Sequence, residues 1–240
     1  MNEVLIHSPY PRQPSQGNAV TAKRMTALLS DGGLDVAIHE RGDAPHQAHC
    51  LIALNARKSA AEIADFHRRQ PESPIIALLT GTDVNHQDML EPESETRRAL
   101  ELCSAIVSLH DGFSHRIPSH LLGKTGVIYP SVQLPESLRH QSSDRTDIVI
   151  AGNFRVEKNP TLMMQAARNL RDAPIHFHAY GQGGDYQVEL EKTAAECPNF
   201  HFHGVQDHDV VMGKMQTAHV LLNTSTEEGG ANAICEAVVS

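Results

Sequence analysis

The chain has 240 residues, enough for one large domain or two of ordinary size, and 40% of them are apolar. Its net charge of −9 excludes the basic footprint that electrostatic nucleic-acid binding requires. No apolar run approaches the roughly 20 residues needed to span a bilayer, and the first residues lack the charged-then-apolar layout of a signal peptide.

Short apolar runs alternate with helical patterns along the whole chain. A first strand is expected over residues 4–7, followed by a loop rich in Pro, Ser and Gly over 8–18. A helix over 20–29 is stopped by Gly32 and Gly33, and a strand follows at 34–39. Further strands are expected at 50–54, 75–80, 105–109 and 126–129, with helices at 59–69 and 94–102. Residues 131–145, with Pro135, Ser142, Ser143 and mixed charge, read as a surface connection. The pattern then restarts, with strands at 147–151, 175–180, 200–203 and 220–222 and helices at 160–170 and 186–196. The order is that of an α/β chain with parallel sheets, divided into two Rossmann-like units, 1–142 and 143–240. The last helix has no glycine or proline stop, and four strands are few for a doubly wound sheet. The second unit is therefore expected to be incomplete, with a C-terminal part beyond Ser240.

Cys50, Cys103, Cys197 and Cys235 are widely spaced and form no paired-cysteine metal motif, which suits a reduced, cytoplasmic compartment. Among 16 histidines, His176-Phe177-His178 and His201-Phe202-His203 alternate as the polar face of a strand would. No cysteine or carboxylate sits at ligand spacing beside them, so no metal is expected.

The most informative stretch lies near the C-terminus. Ala218 to Asn223 reads as a buried parallel strand, and Ser225-Thr226-Glu227-Glu228-Gly229-Gly230-Ala231-Asn232-Ala233-Ile234-Cys235-Glu236 comes after it. Gly229 and Gly230 stand where strand should give way to helix, so the backbone can approach a ligand closely. A helix N-terminus there would offer free N–H groups to a phosphate. Glu228 and Glu236, eight apart and so about two helical turns, are expected to face one cleft. That chemistry suits a phosphorylated, polyhydroxylated ligand.

These residues resemble a known family. The Glu228 to Glu236 spacing with Gly229-Gly230 after the first glutamate is similar to the signature of family-4 glycosyltransferases of the GT-B fold. Ala151-Gly152-Asn153-Phe154-Arg155-Val156-Glu157-Lys158-Asn159 resembles their phosphate-binding strand end, with Asn153 where arginine is usual. Thr80-Gly81-Thr82-Asp83 resembles their His-Gly-Ser/Thr-Asp segment, with Thr80 in place of histidine. Together with Gly17-Asn18-Ala19-Val20-Thr21-Ala22-Lys23-Arg24 and Leu54-Asn55-Ala56-Arg57-Lys58-Ser59-Ala60, they resemble the selenosugar synthases of selenoneine biosynthesis, which join selenophosphate to the N-acetylglucosamine of a UDP-sugar.

The resemblance implies two Rossmann-like domains facing a cleft, a nucleotide-sugar donor, a small anionic acceptor and no cofactor. By it, Glu228 binds donor-sugar hydroxyls, Gly229, Gly230, Ala231 and Asn232 present amides to sugar and phosphate, and Glu236 accepts from the ribose. Gly204 and Val205 resemble the loop whose backbone reads the base. Arg155 and Lys158 can neutralise the diphosphate leaving group, the main electrostatic task in transfer without a metal. Period-2 geometry would put Asn153 and Arg155 on one strand face, letting Arg155 replace the usual arginine. On the acceptor side stand Gly17, Asn18, Lys23, Arg24, Thr80, Gly81 and Thr82, while Asp83 either orients a substrate or serves as the N-cap of the next turn. A family-4 enzyme with a lipid or saccharide acceptor, or a non-catalytic nucleotide-sugar-binding protein, fits the same residues. A Rossmann dehydrogenase does not, because neither unit carries Gly-x-Gly-x-x-Gly after its first strand. The oligomeric state is not legible.

Overall fold

The computed structural model of the protein describes residues 3–9, 17–39, 47–132 and 144–240. The chain divides into two compact units, one of Met1–Pro130 with Glu228–Gly230 and one of Ser131–Glu227 with Ala231–Ser240. The boundary expected at 142 lies outside the described residues, as does most of the connection over 131–145.

In the first unit, strands β1 (Glu3–His7), β2 (Asp35–His39), β3 (Cys50–Leu54), β4 (Ile75–Leu79), β5 (Ala105–Ser108) and β6 (Thr125–Val127) form one parallel sheet in the order β2-β1-β3-β4-β5-β6. The central strands β3 and β4 are apolar at every position because both of their faces are covered. Val4, Ile6, Ile52, Leu54 and Leu78 point to one face, where Ala22, Met25 and Leu29 of α1 (Gly17–Asp31) pack. Leu5, Leu51, Ala53, Ile75, Ala77 and Leu79 point to the other. There they meet Ile63 and Phe66 of α2 (Ala60–Arg69) and Ala99 and Leu100 of α3 (Glu95–Leu102). Lys124 closes the end of α3, its Nζ donating to the carbonyls of Leu100, Glu101 and Cys103 at 2.9, 3.1 and 2.8 Å.

In the second unit, β7 (Thr146–Ala151), β8 (Ile175–Tyr180), β9 (Phe200–Gly204) and β10 (Val220–Leu221) form a parallel sheet in the order β10-β7-β8-β9. Ile150, Phe177, Ala179 and Phe200 face α4 (Pro160–Asn169) and α5 (Gln187–Glu196), which contribute Met163, Met164, Ala167 and Leu190. Val149 and Tyr180 face the other way, toward Val211, Met212 and Met215 of α6 (His208–Met215) and Ala233 and Ala237 of α7 (Asn232–Val238). The alternate histidines lie on this second face. The helix α6 was not expected from the sequence: Val210-Val211-Met212 reads as a short apolar run and Gly213 as a breaker. Among the described residues, no helix is long and apolar enough to cross a membrane, and the four cysteines are free thiols.

Candidate functional site

In open parallel sheets, ligands bind beyond the carboxyl ends of the strands, where the strand order reverses direction. In the second unit that place is β7, because the chain runs outward from it through β8 to β9 and then returns to β10 on its other side.

The segment leaving β7 is firmly held. Phe154 is buried beside Phe202, ring centroids 6.1 Å apart, and its N–H donates to the Gln182 carbonyl at 2.8 Å. A short 3-10 turn, Val156–Lys158, leads to Asn159, whose left-handed backbone (φ 45°) turns the chain into Pro160 at the start of α4. Lys158 folds back over the strand end: its Cε lies 3.8 Å from where a Cβ on Gly152 would sit. Arg155 is half exposed and lies 3.4 Å from Glu157. The loop after β10 is tied to this segment, Thr224 Oγ1 donating to the Lys158 carbonyl at 2.8 Å and Thr226 N–H to the Glu157 carbonyl at 2.8 Å. Thr224 was not singled out in the sequence and Thr226 was given no role there; a threonine-serine-threonine run after an apolar strand was the available signal.

β7 ends at Ala151, so Asn153 and Arg155 lie in a loop and the strand-face argument for them does not hold. Asn153 Oδ1 instead accepts from Gln182 N–H at 3.4 Å. The neighbouring strands end in glycines that allow close backbone approach. At Gly181 (φ 138°) a Cβ would stand 1.9 Å from the Gly152 carbonyl oxygen, and Gly181 N–H donates to the Gly204 carbonyl at 2.8 Å. Gly181→Ala is therefore expected to cost about 3 kcal/mol, from overpacking and a strained φ together. Thermal unfolding checks this, and an unchanged midpoint would contradict it. Gly204 and Val205 leave β9 together, Gly204 with φ 64° and Val205 exposed.

Glu228 and Glu236 do not share a helix, because α7 begins only at Asn232. Glu228, Gly229 and Gly230 belong to the first unit, together with Thr80, Gly81, Thr82 and Asp83; Ala231, Asn232 and Glu236 belong to the second. Ala231 takes the N-cap position of α7, and no side chain caps that helix among the described residues. Glu236 is buried, its Oε1 3.0 Å from Nε2 of His208 at the start of α6. His208 was not anticipated as the partner of that carboxylate.

In the first unit, the ends of β3 and β4 form one polar network. Asn55, buried with φ 62°, donates from Nδ2 to Thr80 Oγ1 at 2.8 Å and Thr82 Oγ1 at 2.9 Å, and its Oδ1 accepts from Lys58 N–H at 3.0 Å. A non-glycine residue at positive φ is uncommon and asparagine is the usual exception, so Asn55 after an apolar run was a readable signal. Asp83 is fully buried. Its Oδ1 accepts from the N–H groups of Thr80, Gly81 and Val84, and its Oδ2 from Ala56, all at 2.9 Å. Burial pushes its carboxyl up, and the amide donors, which favour the ionised form, oppose this. Asp83 does not take the N-cap position expected as one of its two roles, because His86 caps the next turn, Gln87–Met89; its side chain instead fastens two loops.

Gly17 and Asn18 form the first turn of α1 instead of a loop, and residues 10–16 lie outside the described residues. Exposed Lys23 and half-buried Arg24 sit roughly 9–10 Å further along the helix axis, so the structure does not bring them to that first turn. Where the sheet reverses direction, between β1 and β3, Ser8 is buried, and its Oγ has no hydrogen-bond partner among the described residues. Among the described residues, no group of three or more His, Cys, Asp or Glu side chains is arranged to hold a metal ion.

Residues 145–240 match the family model described as glycosyl transferases group 1. No curated protein sequence matches the chain significantly. The fold is similar to HepE from Anabaena in complex with UDP-glucose, with TM-score 0.68 and 16% identity over 100% of this chain and 78% of that one. It is similar to sucrose-phosphate synthase from Thermosynechococcus elongatus, with TM-score 0.75 and 13% identity over 99% and 79%. It is also similar to a mutant of TarM from S. aureus in complex with fondaparinux, α-GlcNAc-glycerol and UDP, with TM-score 0.60 and 14% identity over 80% and 39%. The chain thus has the GT-B fold of these solved structures, and its residues 145–240 match the glycosyl transferases group 1 model.

Proposed function

We propose that this glycosyltransferase takes N-acetylglucosamine from a UDP-sugar and passes it to selenophosphate. The C1–O bond to the diphosphate breaks, a C1–Se bond forms, and the electron pair leaves with UDP. The observation that carries the donor half is Lys158 folded over Gly152 at the end of β7, beside the tied loop after β10. A diphosphate there would meet one ammonium directly, with Arg155 two residues beyond the strand-end glycine and its neighbour. In this reading charge on the leaving group is carried by these two side chains, and no metal is required. The solved complexes of HepE with UDP-glucose and of TarM with UDP and a GlcNAc glycoside are consistent with a uridine donor. Selenophosphate as acceptor rests on the sequence resemblance through Gly17-Asn18, Asn55-Ala56 and Thr80 to Asp83.

The test is UDP release from UDP-N-acetylglucosamine in the presence of selenophosphate, orthophosphate or a simple saccharide. Release accelerated at least tenfold by selenophosphate alone is expected. Equal release with all three would remove the acceptor assignment, and acceleration by the saccharide alone would replace it.

A further inference from the structure

The second face of the β8–β9 pair carries five rings in one continuous stack that the transfer reaction does not use. His176, His201, His178, His203 and Tyr180 alternate between the two strands, with successive centroids 5.4, 4.9, 5.5 and 4.5 Å apart and rings within 25° of parallel. Nitrogens meet directly at two steps: His176 Nδ1 to His201 Nε2 at 3.1 Å, and His178 Nδ1 to His203 Nε2 at 3.2 Å. His178 Nε2 also lies 3.1 Å from Asp147 Oδ1 on β7.

A neutral imidazole has one N–H and one lone pair, so each nitrogen–nitrogen contact needs one of each. The neutral stack closes when His178 donates to Asp147 and His203 donates to His178. A second proton on His178 can still be met by the Nε2 lone pair of the other His203 tautomer, but protons on both rings set N–H against N–H and break that contact. Any proton beyond the first also places like charges about 5 Å apart, in rings that are partly withdrawn from water. The charged groups facing the stack do not compensate. Asp147 supplies a negative charge but is itself paired with Arg145 at 3.2 Å; Arg145 and Lys214 of α6 add positive charge, and His219 accepts the Asp147 N–H at 3.0 Å.

We propose that this stack is a proton-sensing device that loosens the β8–β9 edge of the second unit as pH falls below the ordinary histidine value. Burial is the leading cause that holds His178, His201 and His203 below that value, followed for His201 by its histidine neighbours. The unfolded chain therefore binds more protons than the folded one in the window just below pH ~6.5. The stabilisation is complete above that pH and is lost as pH falls toward the lowered folded values. β9 is an edge strand of its sheet and pairs with β8 alone, so this contact can open without breaking the rest of the sheet.

The experiment pairs an NMR titration of the histidine Cε1 resonances with amide exchange of the intact chain at pH 7.5 and 5.5, corrected for intrinsic rates. At least two of His178, His201 and His203 should titrate below 6.5. Protection over residues 175–180 and 200–204 should fall at least tenfold at pH 5.5, while residues 50–54 and 75–79 keep theirs. In the variant His201→Gln/His203→Gln the pH-dependent loss should shrink. His178, His201 and His203 all titrating at or above 6.5, or equal protection of β8 and β9 at both pH values, would overturn the proposal even if the variant fails to fold.

Discussion

Asp83→Ala is expected to destabilise the first unit by about 4 kcal/mol, one of the largest single-residue effects in the chain. Four backbone N–H groups from two loops converge on this carboxylate, and no water reaches it. Alanine would strand those donors in the interior, at about 1–3 kcal/mol for each one that cannot find another partner. Asp83→Asn should cost roughly half as much: it keeps an oxygen for Thr80, Gly81 and Val84 but turns an NH2 toward the Ala56 N–H. Urea denaturation of the two variants measures the difference. Near-normal stability of Asp83→Ala would mean that the network is not what ties β3 and β4 at their carboxyl ends.

Lys158→Ala should lower sugar transfer at least tenfold, or about 1.4 kcal/mol of transition-state stabilisation, with little change in folding. The contacts that hold the loop use the backbone carbonyls of Glu157 and Lys158, which alanine preserves. Charge grows on the diphosphate as the bond to the sugar breaks, so the loss should fall mainly on kcat. Arg155→Ala should cost less, because Arg155 is half exposed and already shares its charge with Glu157. Rates of UDP release decide the matter, and a Lys158→Ala enzyme of near-normal rate would remove Lys158 from the donor site.

The central strands of the first sheet were legible because a parallel sheet covered on two faces needs apolar residues at nearly every position, as in Leu51 to Leu54 and Ile75 to Leu79, whereas β8 and β9 were legible through alternation. The carboxyl-end loops were legible through glycines and asparagines with demanding backbone angles. The failures had a common cause: side-chain arrangement was inferred from periodicity that stops when an element ends. Asn153 and Arg155 lie beyond β7, and Glu228 lies before α7, so neither strand nor helix geometry relates them. Pairings distant in sequence, such as Glu236 with His208 and Asn55 with Thr80 and Thr82, leave no spacing to read. The helix α6 escaped because Gly213 interrupts a run without a helical apolar stripe. The histidine alternation was readable as a strand face, whereas the stacking of two such faces required the register of β8 on β9.

The central claim is tested most directly by incubating the protein with UDP-N-acetylglucosamine and selenophosphate and analysing the products by mass spectrometry. A selenium-bearing N-acetylglucosamine conjugate, formed in step with UDP, is the result expected. UDP-N-acetylglucosamine left intact, or N-acetylglucosamine passed only to water or to another acceptor, would contradict the account.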